Sequence, residues 1–165
     1  MTKTTDNLKA AFAGESQANR RYLAFAKKAD EDGYPQVARL FRAAAAGETV
    51  HALAHLRVLG EVKSTAENLQ AAIGGENYEH TTMYPDFIKE AETESNKQAV
   101  QTFDRAMDVE IIHEKLYQEA LDSIGKKQEE FDYYVCPVCG YLHARSAPER
   151  CPVCHTPGAR CENVS

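Results

Sequence analysis

Apolar residues recur along most of the chain at steps of three and four. Between Asn7 and Glu31, residues Leu8, Ala11, Phe12, Tyr22, Phe25, Ala26 and Ala29 fall on one face of a helix. DGYP (Asp32 to Pro35) ends that helix, with Gly33 as its C-terminal cap and Pro35 opening the next at its first turn. The second predicted helix runs from Pro35 to Leu59, carries Val37, Leu40, Phe41, Ala44 and Leu56, and stops at Gly60.

Two capping-box spacings, STAE from Ser64 and SNKQ from Ser95, start two further helices. The third should reach Ala91, weakened by Gly74 and Gly75 and kinked by Pro85. The fourth should last to Ile124, with Gly125 closing it. Four amphipathic helices of about 25 residues with short connectors predict an all-α four-helix bundle over residues 1–128. A polar run, KKQEE, then links it to a small domain over residues 131–165, where prolines, glycines and cysteines replace the helical pattern.

The two halves of the bundle resemble each other. FRAAAAGETVH (Phe41 to His51) matches FDRAMDVEIIH (Phe103 to His113) at an offset of 62, and AGES (Ala13 to Ser16) matches GGEN (Gly74 to Asn77) at 61. A duplicated helical hairpin follows.

Ionisable residues sit inside these apolar helices. Glu-x-x-His occurs as Glu48/His51 and Glu110/His113, a spacing that puts both side chains on one helical face. Each hairpin adds a carboxylate from its first helix, Glu15 or Glu76, and Glu79 follows one turn after Glu76. Burying several carboxylates together is costly unless cations compensate them. A Glu from each of two helices with Glu-x-x-His from the other two is the donor pattern of ferritin-like dinuclear sites, suited to iron or manganese.

The formal charge is −6 with acidic and basic residues interspersed, which offers no basic face to nucleic acid. No stretch of about 18 apolar residues and no secretory leader is evident, so a soluble cytoplasmic protein with no membrane partner is expected. Four of the five cysteines form two Cys-x-x-Cys knuckles, Cys136/Cys139 and Cys151/Cys154, able to close a tetrahedral iron or zinc site. Cys151 to His155 also fits the haem-attachment spacing, but that would leave the first knuckle without its partner. Cys161 is expected as an accessory surface thiol. His55, His80, His143 and His155 are expected to be solvated or hydrogen-bonded rather than ligands.

FAGESQANRRY, GETVH, GENYEHTTMYP, EIIHEKLY and the paired CPVC knuckles together make the chain resemble the rubrerythrin family, in a short-connector form. The resemblance implies a ferritin-like bundle with a non-haem di-iron centre and a C-terminal rubredoxin-like domain with one iron in four thiolates. Zinc is possible in recombinant protein. It also implies a peroxidase that reduces hydrogen peroxide to water in oxidative-stress defence. Electrons would come from rubredoxin or an NAD(P)H-dependent rubredoxin reductase, since the chain has no dinucleotide-binding glycine motif.

By the same resemblance Glu48 and Glu110 bridge the irons, Glu15 binds one terminally, and Glu76 and His113 bind the other. Glu79 and His51 occupy the positions that exchange at the first iron on reduction. Cys136, Cys139, Cys151 and Cys154 hold the electron-transfer iron, and Tyr22 and Tyr84 match tyrosines beside the di-iron site, where packing alone would also account for them.

Two departures from the family pattern stand out. The spacer between the knuckles, Gly140 to Arg150, is shorter than in free rubredoxins. The connector between the second and third helices is only about Glu61 to Lys63. A return along the bundle of roughly 30 Å is beyond three residues of at most ~3.6 Å each. Either the bundle runs up-down-up-down or two chains exchange hairpins in a swapped homodimer, the reading favoured here because it keeps ferritin-like ligand geometry. A ferroxidase, and a zinc-knuckle scaffold without enzymatic activity, are the competing functional readings.

Overall fold

The structure is a computed structural model and describes residues 2–127 and 129–165. Residues 1 and 128, the two ends of the predicted helical domain, lie outside the described residues, the second of them within the KKQEE linker. The chain divides into two compact units, Met1–Lys63 and Ser64–Ser165.

The first unit is a helical hairpin of α1 (Lys3–Glu31) and α2 (Pro35–Leu59). Helix α1 begins four residues earlier than the apolar pattern suggested, because the Thr2 side chain accepts from the Thr5 amide and caps it. The buried seam is built from alanines, Ala26, Ala29, Ala38, Ala45 and Ala52, and such small side chains let the two helices approach closely. Asn19 crosses that seam, donating to the Ala45 carbonyl (2.7 Å) and to Thr49 Oγ1 (2.9 Å). Helix α2 ends at Gly60, which is left-handed.

The second unit starts with α3 (Thr65–Tyr78), whose capping box is complete: Ser64 accepts from the Glu67 amide and Glu67 accepts from the Ser64 amide. The helix expected from Ser64 to about Ala91 runs unbroken as far as Thr93, with a π-turn inside its α-helical ladder. After α3 come a π-helix, Glu79–Met83, and α4 (Tyr84–Thr93), with Pro85 in the first turn of α4. Tyr84, the residue before it, still donates its N–H to the Glu79 carbonyl, so the missing proline N–H falls where the π-turn has already shifted the helical ladder.

Helix α5 (Lys97–Ser123) packs antiparallel against α3 and α4. Its cap is also a correction: Asn96, not Ser95, accepts from the Ala99 amide, and Ser95 is left-handed at φ 58°. Ser95 occupies the place that Gly33 (φ 80°) holds in the first hairpin, and the turn bonds match at both places. Tyr34 donates to Ala29 and Asn96 to Ala91, each at 2.8 Å.

The tail forms a small antiparallel sheet of order β2-β1-β3, from β1 (Tyr133–Val135), β2 (Leu142–Ala144) and β3 (Glu162–Val164). A cation–π contact of Arg145 over Phe131 at 4.4 Å and a bond from Asn163 to Asp132 (2.8 Å) tie its edges. Gly158 is required sterically, since a Cβ there would lie 1.5 Å from the Pro148 carbonyl oxygen. The tail rests on α5: β2 packs against that helix, and Val109, almost wholly buried, lies beneath Gly140.

The duplication seen in sequence recurs in geometry. Tyr22, Phe25 and Phe41 form a ring cluster with centroids 6.3, 6.1 and 5.5 Å apart, and Tyr84, Phe87 and Phe103 repeat it at 6.4, 6.1 and 5.6 Å. These rings match at an offset of 62, whereas Glu15 and Glu76 match at 61. One residue is therefore inserted between Glu76 and Tyr84. The π-helix lies in that interval, and a π-turn is how a helix absorbs one extra residue without losing register on either side.

Candidate metal centres

Each hairpin gathers one carboxylate from its first helix and a Glu-x-x-His pair from its second. In the first unit, donor atoms of Glu15, Glu48 and His51 all lie within 4.8 Å of one another. His51 Nδ1 is 3.0 Å from Glu48 Oε2, with the His51 side chain 59% exposed. In the second unit, Glu76, Glu110 and His113 converge equally closely and are only partly exposed.

The electrostatics of the second triad describe a site that needs a cation. Burial, with the Glu110 carboxylate hydrogen-bonded beside it, pushes Glu76 up to about 7, so it shares a proton with its neighbour. Burial would also raise Glu110, but bonds from His113 and Glu76 hold it below the ordinary carboxylate range. His113 Nδ1 is 2.7 Å from Glu110 Oε2 and 3.8 Å from Glu76 Oε2, and the bond to Glu110 raises its pKa. A metal ion replaces such trapped protons with ligand bonds, so this donor set fits hard divalent ions such as ferrous iron.

Glu79 stands on the π-helix outside both triads; burial, then the nearby Glu110 charge, raises its pKa. Tyr84 is half-buried, and burial with the charges of Glu110, Glu79 and Glu76 raises its phenol pKa. Tyr22 holds the matching place in the first hairpin's ring cluster.

Two residues escaped the sequence reading. Glu114 accepts from His80 Nε2 (2.5 Å) and from Asn77 Nδ2 (3.1 Å), gripping the residues on either side of Glu79 and tying the π-turn to α5. Tyr117 lies one turn after His113, and burial with the charges of Glu76 and Glu110 raises its phenol pKa. Its spacing of four from His113 was the available signal.

In the tail, the four sulfurs of Cys136, Cys139, Cys151 and Cys154 lie within 4.8 Å of one another, with Cys136–Cys154 and Cys139–Cys151 at 3.5 Å. Four sulfurs held tetrahedrally at ~2.3 Å from one ion stand about 3.8 Å apart, so the cluster fits a single metal closely. Cys161 is a partly exposed thiol near these sulfurs, and burial raises its pKa. His143 also departs from expectation. Its Nε2 is buried without a hydrogen-bond partner among the described residues, and burial lowers its pKa.

The two centres of this unit touch. His113 points Nδ1 at the carboxylates, while its Nε2 is 3.3 Å from the carbonyl oxygen of Gly140, the residue that follows Cys139. A carbonyl only accepts, so Nε2 carries a proton, and Nδ1, now bonded to Glu110, is the nitrogen that a metal ion would take.

The family model described as Rubrerythrin matches residues 6–121, and the one described as Rubrerythrin, rubredoxin-like domain, matches residues 134–162. This chain belongs to the rubrerythrin family. Nigerythrin of Nitratidesulfovibrio vulgaris is 39% identical, with 93% of this chain and 83% of that protein covered. Rubrerythrin-2 of Clostridium acetobutylicum is 38% identical, covering 92% and 91%. A solved structure of nigerythrin described as fully reduced and all ferrous superposes with a TM-score of 0.61 at 37% identity, covering 99% of this chain and 88% of that one. The mixed-valent nigerythrin structure gives 0.60 at 38% identity, with the same coverage. The rubrerythrin fold, mostly helical and ferritin-like with a rubredoxin-like knuckle, therefore carries a di-iron site and an Fe(Cys)4 site. Among the described residues, no helix is long and apolar enough to cross a membrane.

Proposed function

We propose that this chain is a peroxidase that reduces hydrogen peroxide to water in oxidative-stress defence, relaying electrons from its four-thiolate iron to its di-iron site. The observation that carries the reading is the hydrogen bond between His113 and the Gly140 carbonyl. It joins a ligand of one centre to the chain of a ligand of the other, a connection that storage of iron does not need. The irons, when bound, supply the two electrons that break the O–O bond, replaced singly through the thiolate site.

The protein's own groups set the geometry. With iron bound, Glu48 and Glu110 would serve both ions, Glu15 would hold one, and Glu76 and His113 would hold the other. Glu79 and His51 would be the two candidates for the remaining place on the first ion, a role that suits a carboxylate on a π-turn and an exposed imidazole already bonded to Glu48. Tyr84, whose phenol stays protonated, offers a hydrogen bond where oxygen chemistry takes place. Its counterpart Tyr22 does the same from the first hairpin. A rubredoxin or an NAD(P)H-dependent rubredoxin reductase feeds the tail, and a reducing cytoplasm keeps its thiolates available.

Each dinuclear site is built from two chains in a swapped homodimer. Each unit by itself supplies one triad, while the connector between Leu59 and Thr65 is too short to return along a bundle. Leu40 (66% exposed), Val50 (66%) and Val58 (70%) on α2 are apolar residues for such an interface to cover.

Steady-state turnover of the iron-loaded protein with a reductase system separates the readings. The proposal expects fast consumption of hydrogen peroxide and slow consumption of oxygen. Preference for oxygen would identify a ferroxidase, and a colourless, zinc-filled tail with no turnover would identify a scaffold. Glu79→Ala is expected to cut peroxide turnover at least tenfold, and unchanged turnover would remove Glu79 from the mechanism.

A further inference from the structure

The two knuckles of the tail repeat each other at an offset of fifteen residues. The Cys136 amide donates to the Tyr141 carbonyl (2.9 Å), and the Cys151 amide to that of Thr156 (2.8 Å). Gly140 donates to the Cys136 carbonyl and His155 to that of Cys151, both at 2.9 Å. The second sulfur of each knuckle receives the amide of the residue two further on, Tyr141 for Cys139 and Thr156 for Cys154.

The equivalence stops at the side chains. Tyr141 turns its ring onto His143, with centroids 4.5 Å apart. Thr156 is buried, at 8% exposure, with its Oγ1 3.1 Å from Cys154 Sγ. A sulfur that ligates a metal has lost its proton and can only accept, so in the loaded tail the Thr156 hydroxyl is the donor. Cys154 then receives two hydrogen bonds from one residue, where Cys139 receives the amide alone from its counterpart.

We propose that Thr156 tunes the tail iron: its hydroxyl bond to the Cys154 thiolate raises the reduction potential above that of the same site without it. Reduction adds one electron to a ferric ion in four thiolates, with no proton and no bond made or broken, and the site's charge falls from −1 to −2. The added negative charge spreads onto the sulfurs, so a donor aimed at one of them stabilises the ferrous state more than the ferric state. Burial keeps water from competing for the hydroxyl and strengthens the effect. A site poised higher accepts electrons more readily from an external donor. The inference requires only iron in the tail, so it stands or falls independently of peroxidase turnover.

The test is an equilibrium redox titration of the full-length, iron-loaded protein, read from the ferric-thiolate visible band, for wild type, Thr156→Val and Thr156→Ser. Valine keeps the shape and removes the donor, whereas serine keeps the donor. At the wild-type midpoint, the ferrous-to-ferric ratio of T156V should fall about tenfold, equivalent to ~59 mV for a one-electron couple. T156V should also move its charge-transfer band to lower energy, while T156S stays near wild type in both respects. An unchanged T156V midpoint, or an equal shift in T156S, would overturn the proposal. If T156V does not hold iron, cadmium-113-loaded wild type decides. A Thr156 hydroxyl proton protected from exchange and coupled to the metal supports the bond, and a freely exchanging one refutes it.

Discussion

Glu76 and His113 hold protons in the metal-free fold that they would not hold at the same pH in an unfolded chain. Glu76 is raised from 4.5 to about 7, so between those values the folded state binds the extra proton and stability falls as pH rises. His113 is raised above 6.5; its contribution is complete below 6.5 and is lost as pH climbs through its higher folded value. Glu110, lowered, loses its contribution only on the acid side. The chelated protein should therefore become less stable from about pH 5 to about pH 7, and further as pH passes the raised His113 value, and iron, by displacing both protons, should remove that decline. Urea denaturation of apo and loaded protein across the range checks this, and apo stability that rises with pH would contradict it. At the other end of α4, Ser95 adopts a left-handed backbone where the first hairpin uses glycine. Ser95→Gly should stabilise the second hairpin by ~1 kcal/mol, measurable in the same denaturation series.

The π-helix is the element in which the two hairpins differ. Glu15 and Tyr22 are seven residues apart, two turns of α-helix, whereas Glu76 and Tyr84 are eight apart. Deleting Thr81 restores the spacing of seven. The variant should keep its helix content by circular dichroism and still seat the Tyr84, Phe87 and Phe103 cluster, while Glu79 leaves its bulged position and peroxide turnover falls. Loss of the fold instead would show that the second hairpin cannot tolerate the first hairpin's spacing. Helix ends and both Glu-x-x-His faces were legible in the sequence, because they rest on spacing and caps. Offsets of 61 and then 62 also recorded the insertion, but Pro85 and the glycine pair drew the reading to a kink. The cap at Asn96 was misread for a related reason: Ser95 has a capping residue's chemistry and sits one place too early. Glu114 was invisible because its partners lie on another helix, 34 and 37 residues away.

Across the whole molecule, the four cysteines and the six residues of the two carboxylate–histidine triads are readable as residue types at fixed spacings. What spacing could not give was the seat of the tail on α5, because a hydrogen bond from His113 to a backbone carbonyl leaves no trace in side-chain identity. The connector acts through length alone, and the proposed swapped dimer rests on it. Lengthening it between Gly60 and Ser64 by about 12 flexible residues gives enough reach to close a bundle within one chain. Light scattering with metal analysis should then find iron-loaded monomers for that variant and dimers for the parent. A parent that is monomeric with a full di-iron complement would rule out the swap.

In the proposed function the tail iron and the di-iron site act as one device on peroxide. The most direct measurement mixes the anaerobic, fully reduced, iron-loaded protein with stoichiometric hydrogen peroxide, and separately with oxygen, while the ferric-thiolate band is followed in a single turnover. Coupled centres should give rapid return of the band with peroxide and much slower return with oxygen. A band that returns faster with oxygen, or stays bleached while peroxide is consumed, would contradict it.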